Sequence, residues 1–427
     1  MASAVFDIQQ HVIPGEHTRE YARSKANSQE ETLFIQVKQY TPKGNGAPQK
    51  GDLNIIGAHA NGFPKELYEP LWEDLVKNLA NKGVRVGSIW IADCAWQGQS
   101  GIVNKDTLGN DRTLRPPSPI NDKTDTTKIA SWFDYSRDML QMINHFRMPR
   151  PLVGIGHSFG ACAIVKLALF HPRLFSSLVL VDAVIATHHP SHVDGYMQPP
   201  SMSARRRDVW PSRAAAAAAF QKSPFYQSWD PRVFARWVAH GLTQPDPALP
   251  DVTLTTTKHQ EVFTFMRPSH DALTPDGAAV ADPDLVPDMD CTHGVMAPIY
   301  RPEPGLVFDE LPHLRPNVLW VFGGSSYMSL EAMREEKVSA TGVGVGGSGG
   351  VAAGRVTQVV GEGWGHLIPL EAPGFVAEAA AASVAETVRR WQREERTYEV
   401  WTAKPLAEKS RIRQETLDAM TKAMAKI

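Results

Sequence analysis

The chain carries almost no net charge. With 44 Lys and Arg against 46 Asp and Glu, its formal charge is -2 over 427 residues. A near-neutral balance gives neither nucleic acid nor an anionic membrane an electrostatic hold as main partner. Cysteine is scarce too: Cys94, Cys162 and Cys291 are widely spaced and odd in number. They make no disulfide framework, point to a reducing compartment and leave no Cys-x-x-Cys pair for zinc. No apolar run is long enough to cross a bilayer, and the opening "MASAVFDIQQ" lacks the basic and apolar regions of a secretion signal. Hydrophobic content, at 42%, is ordinary for a globular protein and sufficient for a sizeable core.

Strand and helix signals alternate along most of the chain. "LFIQVKQY" (33–40), "LNIIGAH" (53–59), "VRVGSIWIAD" (84–93), "PLVGIGH" (151–157), "SSLVLVDAV" (176–184), "NVLWVFGG" (317–324) and "RVTQVV" (355–360) read as strands. Helical spacing fills 67–79, 128–146, 161–170 and 375–391. Near-continuous apolar strands separated by helices predict an α/β fold, with a mostly parallel central sheet and helices on both faces. The rhythm breaks over residues 185–311, where the clearest elements are helices. Ser212 stands as N-cap before an alanine run; Asp230, Pro231 and Gly241 frame a second helix. The expected organisation is a core of residues 1–184 and 312–427, interrupted by a mainly helical cap over 185–311.

The chemistry-bearing stretch is "GIGHSFGAC", with Ser158 between Gly156 and Gly160. A Gly-x-Ser-x-Gly pattern that ends a strand and opens a helix forces its serine into strained backbone angles and raises the hydroxyl beside the positive end of a helix dipole. Such a hydroxyl needs a base, and the base needs a carboxylate. His366, in the glycine-rich "GEGWGHLIPLE" after the last strand, is the candidate base. For the acid, "VFGGSSYMSLE" offers no carboxylate before Glu331, whereas Asp182 ends the strand after the nucleophile, 24 residues beyond Ser158. Asp182 is therefore preferred, with Glu331 in reserve. Backbone amides for an oxyanion are expected from Phe159 and from the loop "HANGFPKELYEP", where Asn61 is the choice and Phe63 the competitor. His59 precedes the nucleophile and reads as a loop-fixing residue.

These features resemble the α/β-hydrolases over roughly residues 33–391. Within that span "HANGFPKELYEPLW", "GHSFG", "RRRDVWPSR", "SWDPRVFARWV" and "TGVGVGGSGG" are similar to a fungal subgroup of peroxisomal hydrolases. That subgroup takes in the acyl-CoA hydrolase of mycophenolic acid biosynthesis, host-selective-toxin biosynthesis proteins and a peroxisomal lipase. The resemblance implies an acid after the strand that follows the nucleophile, which maps onto Asp182. It also implies a serine hydrolase acting on an acyl thioester or an ester, without cofactor or metal, in secondary metabolism. The final Ala425, Lys426 and Ile427 match the small, basic and aliphatic character of the peroxisomal address Ser-Lys-Leu. An import receptor is the expected partner and the peroxisomal matrix the expected location.

Other features carry two readings each. Phe220, Phe225, Tyr226, Trp229, Phe234 and Trp237 either line an acyl pocket or form the cap's own core. Phe63, His59, Trp229 and Trp237 are taken as the candidate substrate contacts, and an exposed apolar cap as a surface that can pair two subunits. Arg205, Arg206 and Arg207 either hold the phosphates of coenzyme A or form a solvated basic turn. His188, His189 and His192 lack nearby carboxylates, so no metal site is expected. The run "TGVGVGGSGG" (341–350) lacks a following Gly-Lys-Ser/Thr and reads as a mobile connection, not a phosphate loop.

Overall fold

Every strand expected from the apolar runs joins one sheet. The computed structural model describes residues 3–21, 24–109, 131–186, 198–269, 272–289, 291 and 299–424. Its eight-stranded sheet comprises β1 (Phe6–Pro14), β2 (Phe34–Pro42), β3 (Leu53–Ala58), β4 (Val86–Ala92), β5 (Leu152–His157), β6 (Ser177–Val181), β7 (Asn317–Gly323) and β8 (Val356–Gly361). Their order across the sheet is β1-β2-β4-β3-β5-β6-β7-β8. Only β2 runs against its neighbours β1 and β4; the other pairs are parallel. β1 escapes the sequence pattern because Gln9, Gln10 and His11 occupy its middle and only Phe6 and Ile13 are buried. It is an edge strand, paired only with β2, with Ile13 opposite Ile35.

Alternation along the central strands divides the interior into two apolar clusters. Leu178, Leu180, Trp320 and Phe322 face one side; Val179, Val181, Leu319 and Val321 face the other. Helices α1 (Glu69–Asn81), α2 (Trp132–His145) and α3 (Phe159–Phe170) follow strands β3, β4 and β5 in the chain. α2 and α3 pack on the first face and α1 on the second. Ile129, placed at the start of the α2 pattern, lies outside the described residues.

Between β6 and β7 the chain leaves this sheet and forms helices and two small sheets of three and two strands. Ser212 Oγ accepts from Ala215 N–H at 3.1 Å, as an N-cap should. α4 (Pro231–His240) starts at the Asp230 cap and stops at Gly241, where a Cβ would fall 2.3 Å from the Trp237 ring. α5 (Lys258–Phe265) opens on a full capping box of Thr257 and Gln260. α6 (Glu303–Glu310) returns to the first face. Tyr300 packs with Ala272 and Val286 in a small cluster of its own, but other large aromatics of the segment join the main core. Trp210, Phe220, Trp229 and Trp237 share a cluster with Trp72 and Leu75 of α1.

Two more helices complete the chain's return to the sheet, α7 (Glu331–Ala340) and α8 (Pro373–Thr402). α8 runs well past the expected 375–391: its buried face ends at Trp391 and the remainder is solvated. The glycine-rich stretch 341–350, expected to be mobile, is instead tied down. Gly342, Gly344 and Ser348 donate their amides to the carbonyls of Leu311, Pro312 and Leu314 at 2.9, 2.7 and 3.0 Å. Gly342, Gly346, Gly349 and Gly350 supply the positive φ angles that this folding-back needs.

Candidate active site

β5 ends at His157 and α3 begins at Phe159, leaving one residue for the turn. Ser158 takes φ 58° and ψ -124°, a conformation that costs on the order of 1–3 kcal/mol for a residue with a Cβ. Its backbone is clamped on both sides: Ser158 N–H donates to Val181 O at 3.0 Å, and its carbonyl accepts from Val184 N–H at 3.2 Å. The flanking glycines are sterically required. A Cβ on Gly156 would sit 2.5 Å from Ala161 Cα, and one on Gly160 would sit 2.4 Å from the His59 carbonyl oxygen.

The loop after β8 carries His366 back over the carboxyl ends of β5 and β6. His366 Nε2 lies 2.9 Å from Ser158 Oγ, and His366 Nδ1 lies 2.6 Å from Asp182 Oδ2. Asp182 occupies the turn after β6 with φ 41° and is fully buried. Gly323 N–H donates to its Oδ1 at 3.1 Å and Ser326 O–H to its Oδ2 at 2.5 Å; Ser329 O–H also donates to Oδ1. Burial by itself would raise this carboxyl. The hydrogen bond and charge of His366, joined by the two serine hydroxyls, outweigh it and hold the group below the ordinary carboxylate range. Glu331, the reserve acid, is exposed at the first position of α7, and the carboxylate at His366 Nδ1 is that of Asp182.

Each amide of the loop after β3 has its own assignment. Ala60 N–H donates to Tyr68 Oη at 2.8 Å, Gly62 N–H to Gln97 Oε1 at 2.8 Å, and Phe63 N–H to the Ala60 carbonyl at 3.3 Å. Among the described residues, the amides of Asn61 and Phe159 meet no protein acceptor. Both residues line the cleft that holds Ser158. Phe63, the alternative donor, is already engaged. His59 is fully buried and lies off that cleft wall. Its Nδ1 contacts the Ala60 carbonyl at 2.9 Å and its Nε2 accepts from Cys94 N–H at 3.0 Å. A carbonyl only accepts, so Nδ1 carries the proton. His59 therefore fixes the peptide plane whose N–H belongs to Asn61, and touches no substrate space.

Asn61, Trp132, Ser158, Phe159, Val184, Pro199, Phe265, Tyr327, Met328 and His366 line a narrow cleft. The expected contacts Trp229 and Trp237 are not among them. Trp229 and Trp237 are 5% and 1% exposed, and both pack edge-on against Phe63, with ring centroids 5.6 and 6.2 Å apart. Trp229 and Trp237 therefore pack in a core, though one shared with α1 and not the segment's own. The actual wall residues Tyr327 and Met328 come from "SSYMS" after β7, where the acid was first sought. Phe265 ends α5, whose place over the site no spacing in the sequence announced. Arg206 is committed to Glu261 Oε2 at 2.8 Å, and Arg207 donates Nε to the Val209 carbonyl at 2.7 Å. The pair braces the segment itself. His188, His189, His192, Ala425, Lys426 and Ile427 lie outside the described residues.

No protein-family model matches the chain. Individual relatives do. The type I acyl-CoA thioesterase mpaH' of Penicillium brevicompactum is 40% identical over 422 residues, covering 93% of this chain and 92% of that one. The abhydrolase domain-containing protein AFT2-1 of Alternaria alternata is 26% identical over 239 residues, 55% of this chain and 83% of the relative. Among solved structures, the peroxisomal α/β-hydrolase Lpx1 of Saccharomyces cerevisiae superposes with a TM-score of 0.65 at 14% identity, over 96% of this chain and 100% of that one, a likeness of fold. At 40% identity over nearly the whole of both chains, this protein belongs with mpaH' in a fungal family of α/β-hydrolases.

Proposed function

We propose that the protein is a serine hydrolase that cleaves an acyl-CoA thioester through an acyl-enzyme. The observation that carries this reading is the continuous contact from Ser158 Oγ through His366 to Asp182, at 2.9 and 2.6 Å. Before reaction the Ser158 hydroxyl donates to Nε2, while Nδ1–H donates to the buried carboxylate. Oγ attacks the acyl carbon as His366 takes its proton. The amides of Phe159 and Asn61 receive the oxyanion. Collapse breaks the carbon–sulfur bond, and His366 returns the proton to the departing thiolate, releasing CoA as a thiol. Water then attacks the ester, His366 again takes and returns a proton, and the free acid leaves with Ser158 restored.

The thioester reading is supported by the family, whose member mpaH' is named an acyl-CoA thioesterase. The apolar wall of Trp132, Val184, Phe265 and Met328 suits a lipophilic acyl group, in keeping with a role in fungal secondary metabolism. Location in the peroxisomal matrix, through recognition of Ala425, Lys426 and Ile427 by an import receptor, belongs to the same proposal. An active-site fluorophosphonate tests the mechanism: it labels the wild type at Ser158 and not Ser158→Ala. Absence of labelling in folded wild type would leave a silent hydrolase-fold binding protein. Matched acyl-CoA and oxygen-ester panels decide the substrate, and preference for the esters would make the protein a carboxylesterase or lipase.

A further inference from the structure

His157, the residue before the nucleophile, has no part in the proton transfers above. It is 1% exposed, and both its ring nitrogens are occupied. Nε2 lies 2.9 Å from the backbone carbonyl of His366, and Nδ1 lies 2.8 Å from Tyr68 Oη. The carbonyl only accepts, so Nε2 bears the proton and Nδ1 accepts from the Tyr68 hydroxyl. The Tyr68 oxygen in turn accepts from Ala60 N–H at 2.8 Å. Every direction in this chain is fixed: Ala60 amide to Tyr68, Tyr68 to His157, His157 to His366. Burial, reinforced by the nearby His366 ring, pushes His157 down to about 3, so it stays neutral at working pH and acts by hydrogen bonding alone.

The two ends of the chain are the two parts of the site that must agree in position. One end is the peptide next to Asn61. The Ala60 amide is held by Tyr68 and the Gly62 amide by Gln97, and the amide between them, of the cleft residue Asn61, meets no protein acceptor among the described residues. The other end is the backbone of His366, in a loop more than 200 residues further along the chain (|i−j| 209 from His157). The strands that precede these loops, β3 and β8, are separated in the sheet by β5, β6 and β7, and His157 is the last residue of β5.

We propose that Tyr68 and His157 are positioning residues that lock the oxyanion amide of Asn61 and the His366 loop into one geometry. This inference rests on the serine-hydrolase reading. Tyr68→Phe keeps the ring, which stacks on Trp72 at 6.2 Å between centroids, and deletes the hydroxyl that both neighbours use. His157→Leu removes the chain's middle, whereas His157→Gln offers one acceptor and one donor at similar reach.

The test measures kcat and KM for acyl-CoA hydrolysis, fluorophosphonate labelling rates and thermal midpoints for wild type, Tyr68→Phe, His157→Leu, His157→Gln and the Tyr68→Phe/His157→Leu double variant. Tyr68→Phe and His157→Leu should each lower kcat by about 10- to 100-fold with KM within twofold, below the cost of losing an oxyanion donor outright. Labelling should slow in step. His157→Gln should recover most of the loss, and the double variant should be no slower than the worse single one. Folded single variants with kcat within twofold of wild type overturn the inference. So does a multiplicative double variant, or a Gln variant as slow as Leu. Should Tyr68→Phe not fold, the contrast of Gln with Leu at position 157 decides alone. Unlabelled wild type indicts the serine mechanism; labelled wild type with unaffected variants indicts only the positioning role.

Discussion

Replacing Asp182 with Asn removes one charge and, through the structure around it, inverts the histidine. Asp182 accepts at Oδ1 from the rigid Gly323 amide, which has no alternative orientation. Its other oxygen, Oδ2, faces His366 Nδ1. In Asp182→Asn the amide oxygen must stay with Gly323 N–H, so the NH₂ group takes the place of Oδ2. The hydroxyls of Ser326 and Ser329 can rotate to suit either group and do not oppose this choice. The NH₂ group then donates to Nδ1, and His366 is driven into the tautomer with its proton on Nε2, facing Ser158. A protonated Nε2 cannot accept the serine proton. The expected result is a fall in kcat on the order of 10³- to 10⁴-fold, about 4 to 5.5 kcal/mol of barrier, with little change in KM. Glu331→Ala, at an exposed position, should stay within twofold. Steady-state hydrolysis of an acyl-CoA, followed by thiol release and compared at equal folded concentration, reads both. Full activity in Asp182→Asn, or loss in Glu331→Ala, would refute the argument from tautomer and acid together.

Trp237→Ala should lower stability by about 3 to 5 kcal/mol in urea unfolding, because it empties the middle of an aromatic cluster, and should leave acyl-chain preference unaltered. Phe265→Ala, on the cleft wall, should do the reverse, extending the longest acyl group hydrolysed; a shifted preference in Trp237→Ala would return that residue to the pocket. Lys337 is buried and donates to the carbonyls of Ala183 and Met328. Burial lowers its ammonium to about 8 against the raising influence of Asp182 and Glu336. Above that value the unfolded chain binds more protons than the native one, so this group adds stability as pH rises towards its unfolded value of 10.5. Between pH 7 and 9.5 wild type should gain about 2 kcal/mol relative to Lys337→Met, and a difference independent of pH would show that the lysine is not buried as described.

How far the sequence could be read depended on how locally each feature is determined. Alternating apolar runs specify strands within a few residues, and seven of the eight were legible on that ground. β1 was not, because an edge strand with Gln9, Gln10 and His11 at its centre owes its existence to a partner and not to its own pattern. The extension of α8 to Thr402 was hidden for a related reason: past Trp391 there is no buried face to betray a period. Ser158 was legible because its turn is a local steric problem that Gly156 and Gly160 solve. Asp182 was legible by elimination, since the loop after β7 offered no carboxylate of its own.

What elimination does not supply is the reason an acid works from the end of β6. The loop after β7 provides no carboxylate before Glu331 and instead holds one. Gly323, Ser326 and Ser329 converge on Asp182, and Lys337 fastens the carbonyl of the next residue, Ala183. A hydroxyl-rich turn followed by a lysine eight residues on has no period or motif, so its meaning exists only once two strands are paired. The same holds for Tyr68 and Gln97, plain polar residues in sequence that each fix one peptide of the Asn61 loop, whereas the loop-fixing role of His59 was already legible. Ser158 and Asp182 sit in turns of positive φ, and Ser158 leaves a local trace in its flanking glycines. The side chains that aim Asp182 act across more than 100 residues, and only the folded sheet brings their purpose into view.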